Sequence, residues 1–224
     1  FEIPEYTSII DGIGTLKILE AIRTFSESDQ KKTRFYQAGT SEMFGKVFET
    51  PQKETTQFNP QSPYACAKVY SHFLVKNYRE GYDMFACNGI LFNHESPRRG
   101  ASFVTAKIAR AAAAISKGLQ DKLVLGNLDA YRDWGHSKDY VKAMYLILQH
   151  HEPDEFVISS KETHSVRDFC EAAFNRVGLN YKDYVEQDPK FMRPEELARL
   201  KGDSTKARKA LEWEPEYNFN GLVE

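Results

Sequence analysis

Apolar residues recur at three- and four-residue intervals from Gly14 to Phe25, through Leu16, Ile18, Leu19, Ile22 and Phe25. That period predicts an amphipathic helix, which Ser26-Glu27-Ser28-Asp29-Gln30 ends. A short β-prone stretch, Thr33 to Ala38, runs into the small residues Gly39-Thr40-Ser41. Residues 46–61 read as a polar loop. Ser62-Pro63 then supplies an N-cap and a proline suited to the first helical position, predicting a helix that runs to about Glu80. Met84 to Phe92 is nearly continuous apolar sequence, the mark of a parallel strand buried on both faces, and Asn93 to Gly100 leaves it as a polar loop. Further helices are expected over Val104 to Lys117, Ser137 to Gln149, Ser165 to Val177 and Ser204 to Leu211, the last just before Trp213. Short strands are expected at Lys122 to Leu125 and Phe156 to Ile158.

Strands alternating with helices of ten or more residues argue for βαβ units and an α/β fold, a parallel sheet with helices on both faces. In such sheets ligands sit beyond the carboxyl ends of the strands, here the segments around Thr40 and Asn93. Composition narrows the class further. The 224 residues carry a net charge of −2 with 41% hydrophobic and 28% charged residues. This is a globular balance that gives no bulk field to recruit nucleic acid or an anionic membrane. Mean hydropathy is −0.57, and no apolar run approaches the ~20 residues of a membrane span. A cytoplasmic protein is expected. Cys66, Cys87 and Cys170 have neither the number nor the spacing for a disulfide framework or a zinc site, so they are expected to be buried thiols, with no metal.

The strongest candidate constellation is Tyr64 and Lys68, one helical turn apart at the start of a capped helix. A tyrosine is a poor base at neutral pH, but a neighbouring ammonium favours the phenolate and moves the pKa down. Tyr-x-x-x-Lys also arises by chance as a surface tyrosine beside a solvated lysine. Upstream, at a strand's carboxyl end, Thr40-Ser41-Glu42 adds a hydroxyl and a carboxylate. Alternative roles are a cap of the next turn for Thr40 and a solvated surface position for Glu42.

Ala38-Gly39-Thr40-Ser41-Glu42-Met43-Phe44-Gly45, Ser62-Pro63-Tyr64-Ala65-Cys66-Ala67-Lys68, Asn93-His94-Glu95-Ser96-Pro97-Arg98-Arg99-Gly100, Gly126-Asn127-Leu128-Asp129, Arg132-Asp133-Trp134-Gly135-His136 and Arg193-Pro194-Glu195-Glu196 follow one another along the chain. Together they resemble the GDP-mannose 4,6-dehydratase family of the extended short-chain dehydrogenases/reductases. The resemblance implies a Rossmann-like doubly wound parallel sheet with a smaller C-terminal substrate domain. Residues 1–97 and 131–159 would belong to the nucleotide-binding part, and 98–130 and 160–224 to the substrate part. It implies NADP as cofactor and GDP-mannose as substrate. Tyr64, Lys68, Thr40 and Glu42 would be the catalytic groups; Tyr64, Lys68, His94 and Arg99 would face the cofactor. Asn93, Lys107, Asn127, Arg132, Arg193 and Glu196 would hold the sugar nucleotide. Asp133, Trp134, His136 and Asp139 match as well and read as packing between the domains. A homodimer or homotetramer is implied. Read without the resemblance, His94 is a satisfied loop histidine, Arg98 and Arg99 a solvated basic pair, and Arg132 and Arg193 surface salt bridges.

The family's first strand, glycine-rich turn and helix have no counterpart in this sequence, and Gly12-Ile13-Gly14 does not supply one, because Lys17 stands where a third glycine is needed. Asp11 to Leu16 matches instead the start of a later helix, where a small residue permits close helix packing. The chain opens on Phe1 and reads as a fragment clipped within its last helix, expected to expose an apolar sheet edge and to have little activity alone. Two other enzymes share the fold and the Tyr-Lys pair, an NAD-dependent sugar-nucleotide epimerase and a dTDP-glucose 4,6-dehydratase. Glu42 argues against the first and Ser41 against the second. A non-catalytic sugar-nucleotide binding module is the reading outside enzymes.

Overall fold

The computed structural model describes residues 3–192 and 200–224. Helix α1 (Pro4–Ser8) passes through a π-helical turn, Ile9–Ile13, into α2 (Gly14–Arg23). Helical structure therefore begins ahead of the predicted helix, and the turn is wound one residue wider than an α-helix. Ser26 does not simply end α2. Its hydroxyl accepts from the Asp29 amide, so it caps a further helix, α3 (Glu27–Lys32). β1 (Arg34–Ala38) follows, then the 46–61 loop, and Ser62 Oγ accepts from the Ala65 amide at 3.1 Å to open α4 (Pro63–Tyr82).

β2 (Phe85–Leu91) lies in the middle of a three-stranded parallel sheet, between β1 and the later β7 (Glu155–Ile158). Its alternate side chains enter cores on both faces. Ala86 packs with Leu19 and Ile22 of α2 and Val75 and Tyr78 of α4. Cys87 and Leu91 pack on the other face with Tyr140, Ala143 and Ile147 of α6 (Ser137–Gln149) and with Trp213. This is the doubly covered parallel strand that a continuous apolar run predicts. Across one face, Gly12 of the π turn lets α4 come close: a Cβ there would stand 3.3 Å from the Tyr70 ring, the close packing expected of a small residue at that point.

The two edges of the sheet differ. β1 is an edge strand among the described residues. At the β7 edge, by contrast, Glu54 from the 46–61 loop accepts from the Val157 amide at 2.8 Å, and Gln52 pairs with Gly202. A carboxylate in place of a neighbouring strand satisfies the ladder and closes that edge.

Asn93 to Glu95 is a correction to the sequence reading. It forms a short strand, β3 (Asn93–Glu95), which pairs in parallel with β6 (Trp134–His136), the strand just after the two-residue β5 (Tyr131–Arg132). The pairing diverts the chain out of the main sheet into a second core. Ile108, Ala111 and Ile115 of α5 (Val104–Ser116) meet Leu123 and Leu125 of β4 (Leu123–Leu125) there, with Phe169, Cys170 and Phe174 of α7 (Val166–Arg176) and Trp134. Val185, on a strand that pairs with β4, and Phe219 pack against its edge. Asp133, fully buried, joins the two cores: its carboxylate accepts from the amides of Ser160, Lys161 and Gly202 and from the Ser160 hydroxyl. Cys87 and Cys170 are buried, but Cys66 is exposed, because it lies on the outward face of α4 with Tyr70 and Phe73.

Candidate active site

Two adjoining cavities open beyond the carboxyl ends of β1 and β2. The larger, about 600 Å³, is walled by Gly39, Thr40, Glu42, Ser62, Tyr64, Leu91, Phe92, Asn93, His94, Arg99 and Phe103. Thr40 ends an extended segment and caps the turn Ser41–Met43, its hydroxyl oxygen accepting from the Glu42 amide at 3.2 Å. Its side chain also lies near enough to the Tyr64 phenol to lower that group's pKa. Thr40 therefore caps the turn, and the same residue lines the larger cavity. Glu42 is half-buried in the wall shared by both cavities, which rules out the solvated surface position.

Tyr64 and Lys68 stand one turn apart on α4, the ammonium 5.6 Å from the phenol ring centre. The expected lowering of the tyrosine pKa is not what results. Burial pushes the Tyr64 phenol above its ordinary value. Lys68 and the Thr40 side chain pull it down, while Asp11 and Glu42 oppose them. Lys68 itself is ion-paired, its Nζ 2.9 Å from Asp11 Oδ1, and it does not line either cavity.

His94 Nδ1 donates to the Phe92 carbonyl, 3.1 Å away, and the ring stacks on Tyr140, and burial holds its pKa down. Arg99 lies over the Phe103 ring, 3.6 Å from its centre. Its Nε stands 3.1 Å from Glu95 Oε2, an ion pair whose alignment makes no hydrogen bond. Arg99 is thus neither fully solvated nor aimed freely into the cavity.

The smaller cavity, about 340 Å³, gathers Asn93, Lys107, Arg132, Trp134 and Phe191, with Glu95 and Thr105 behind them. Arg132 is buried, not a surface salt bridge, and its guanidinium donates to the Tyr131 carbonyl at 2.8 Å. Asn127 lines neither cavity; its carboxamide oxygen accepts from the Asp129 amide at 2.9 Å, while the preceding Gly126 forms part of the wall. At Gly126 a Cβ would meet the Phe191 carbonyl at 2.4 Å, so only glycine lets these segments touch. Arg193 and Glu196 lie outside the described residues. Among the described residues no cluster of His, Cys, Asp or Glu is placed to hold a metal ion, and no helix is long and apolar enough to cross a membrane.

Sequence reasoning missed Glu95, Thr105, Phe103 and Phe191. Thr105 Oγ1 donates to Glu95 at 2.6 Å in a buried pair, and only the β3–β6 pairing could have signalled it. Asp133, His136 and Asp139 have the packing roles expected of them. His136 caps α6 and stacks on Tyr217, and Asp139 accepts from the amides of Glu216 and Tyr217. Trp134 packs against Phe169 and also walls the smaller cavity.

The model of the family described as GDP-mannose 4,6 dehydratase matches residues 1–224. The chain belongs to the GDP-mannose 4,6-dehydratase family. It is 52% identical over 223 residues to GDP-mannose 4,6 dehydratase 1 of Arabidopsis thaliana, covering 100% of this chain and 62% of that protein. Against the Homo sapiens GDP-mannose 4,6 dehydratase it is 50% identical over 240 residues, covering 100% and 64%. The chain thus spans about three-fifths of the length of the curated dehydratase relatives it matches. Among solved structures, RMD from Pseudomonas aeruginosa complexed with NADPH superposes with a TM-score of 0.87 at 26% identity, over 100% of this chain and 73% of that one. A UDP-glucose 4-epimerase from Thermotoga maritima superposes with a TM-score of 0.83 at 20% identity, over 98% and 69%; that likeness bears on the fold, a Rossmann-type α/β sheet with a second lobe.

Proposed function

We propose that this chain carries the catalytic and sugar-nucleotide sites of a GDP-mannose 4,6-dehydratase that forms GDP-4-keto-6-deoxymannose. The observation that carries the reading is the convergence of Thr40, Glu42 and Tyr64 on one cavity, in a chain half identical to enzymes of that name. The cofactor we propose is NADP. The larger cavity suits the nicotinamide end of such a molecule, with apolar lining at Leu91 and Phe92 and polar groups at Tyr64, Thr40 and His94. Tyr64, Lys68, His94 and Arg99 would hold it, the last through a guanidinium suited to phosphate. Its chemistry is reversible hydride storage, from carbon 4 and back to carbon 6 of the sugar.

The chain's own groups do the rest. Tyr64 takes the proton of the carbon 4 hydroxyl, and Thr40 holds that oxygen in line. Oxidation comes first because the ketone acidifies the proton at carbon 5. Glu42 removes that proton and delivers it to the departing carbon 6 hydroxyl, which leaves as water; carbon 5 is reprotonated as hydride returns to carbon 6, and release of the proton that Tyr64 took from the carbon 4 hydroxyl closes the balance. Asn93 binds the sugar. Lys107, Asn127, Arg132, Arg193 and Glu196 hold the GDP portion, the cations meeting the diphosphate. Residues 1–97 with 131–159 form the nucleotide-binding lobe in this reading, and 98–130 with 160–224 the substrate lobe.

We also propose a homo-oligomer in the cytoplasm. Support for association comes from the exposed apolar side chains Tyr70 and Phe73 of α4 and Tyr6, Ile9 and Ile10 of the helical segment that packs on α4. An NMR product assay with GDP-mannose and NADP, on the protein in its native reading frame, tests the reaction. A 4-keto-6-deoxy sugar is the expected product; a 4-epimer, or binding with no turnover, overturns the reading.

A further inference from the structure

Lys68 has a partner that the Tyr-Lys pattern does not contain. Asp11 sits in the π-helical turn between α1 and α2, 57 positions before Lys68 in the sequence and in direct contact with it. π turns of this kind are uncommon and recur at functional sites because the extra residue re-aims a side chain. Here the turn is held from two sides. Gly12 gives α4 room to approach, and the Ser71 hydroxyl of α4 donates to the Asp11 carbonyl at 2.5 Å. The pair is largely screened from solvent, with side-chain exposures of 13% for Lys68 and 26% for Asp11, so its charges act on their neighbours more strongly than a surface pair would.

We propose that Asp11 is a positioning residue of the site: its carboxylate is the counter-ion of Lys68 and fixes both where the ammonium stands and how much of its charge reaches the Tyr64 phenol. The charged and titratable groups that face Tyr64 come from five segments. They are Lys68 on its own helix, Asp11 from the π turn, Glu42 from the turn after β1, and His94 and Arg99 from β3 and the loop beyond it. Asp11 is the one that touches Lys68 directly. Whatever draws the carboxylate away from Lys68 releases positive charge toward the phenol, so the Asp11–Lys68 contact is a setting for the base and not only a brace for the helix. The proposal rests on Tyr64 being the site's base.

The test is a titration that needs no turnover. The protein in its native reading frame is labelled with [13Cζ]tyrosine, and the Tyr64 signal is identified by its loss in Tyr64→Phe. The Tyr64 midpoint is then followed in wild type, Asp11→Asn and Asp11→Glu. Asp11→Asn should lower the midpoint by about one pH unit, since it deletes a negative charge and frees a positive one. Asp11→Glu, which keeps the charge, should return it to the wild-type value. A purely structural Asp11 would change the melting temperature and leave the midpoint where it was, and that result overturns the proposal. Should Asp11→Asn fail to fold, a crystal structure of the wild-type chain with Lys68 Nζ and Asp11 Oδ1 out of ion-pair contact overturns it equally. The product assay remains separate. A shifted midpoint without dehydration keeps Asp11's role and removes the reaction; dehydration with an unmoved midpoint does the reverse.

Discussion

The two cavities share Glu42, Asn93, Arg99 and Phe103 in their walls, yet they are built in opposite ways. The larger takes its chemical groups from two short local motifs, a capped turn at Thr40–Glu42 and the first turn of α4. Its tyrosine is partly exposed and pulled in both directions by its neighbours. In the smaller, three of the charged groups are tied down before any ligand arrives: Glu95 to Thr105 and Arg99, and Arg132 buried against its own strand. One corner is left adjustable and the other is fixed. Chemistry needs a group whose protonation can change during turnover, whereas recognition of a large anion gains from groups already held in place.

The largest expected effect lies in the adjustable corner. Tyr64→Phe removes a single oxygen from a partly exposed ring and should lower turnover about 10³-fold, roughly 4 kcal/mol of barrier. Its melting temperature should stay within a degree or so of wild type. Glu42→Gln should likewise lose the 6-deoxy product while GDP-mannose binding, measured by calorimetry, is retained. A Tyr64→Phe protein that turns over normally would end the assignment of that corner to chemistry.

The contrast also explains what could be seen in the sequence. Tyr64, Lys68, Thr40 and Glu42 are legible because helix spacing, an N-cap and a strand's end are local signals, and the order of strands and helices follows from periods of two and 3.6 residues. The smaller cavity assembles from segments near 95, 105, 132 and 191, and three-residue strands such as β3 and β6 have no period to detect. Ser26 shows how a local signal can also mislead: a polar, capping residue ends one helix and starts the next with the same chemistry. Asp11 was hidden for a further reason. Nothing near it in sequence is catalytic, and only the packing of the π turn on α4 brings it to Lys68.

Next in size is a pH effect two turns along the same helix. His72 is buried edge-on against Phe58 and Phe73, and burial holds its pKa down from 6.5 to about 4, with Glu155 opposing and Arg79 and Lys76 adding to the shift. The unfolded chain takes up this proton near pH 6.5 and the folded chain only near 4. The stability that neutral His72 contributes is therefore complete above pH 6.5 and lost as the pH falls to about 4, roughly 3 kcal/mol in all. Urea melts across that window should show the loss in wild type and a much flatter profile in His72→Phe.

Glu95→Ala sharpens the comparison from the fixed side. It strips the buried Thr105 hydroxyl of its acceptor and Arg99 of its counter-charge, and should destabilise the protein by about 2–3 kcal/mol. The Tyr64 midpoint, measured in the same labelled protein, should move far less than in Asp11→Asn, since Arg99 shares the cavity with the phenol and Lys68 sits beside its ring. If it moves as far as in Asp11→Asn, the two corners are electrostatically one site and the division between them fails.

The smallest effect is expected where the two kinds of construction meet, at Ser62. Its hydroxyl caps α4 through the Ala65 amide, and it also lines the larger cavity. Replacing a serine cap by alanine costs about 1 kcal/mol, read as a modest fall in the urea midpoint. The consequence for function is more specific than that number. Tyr64 sits in the first turn of α4, the part of a helix that frays when its amide donors lose their acceptor, while Lys68 lies a full turn deeper and is held by Asp11. Ser62→Ala should therefore loosen the phenol and leave the ammonium in place, lowering kcat several-fold with KM unchanged. A loss in KM alone would mean that Ser62 serves the ligand and not the helix, and the local cap that made this site legible would then have no part in holding its base.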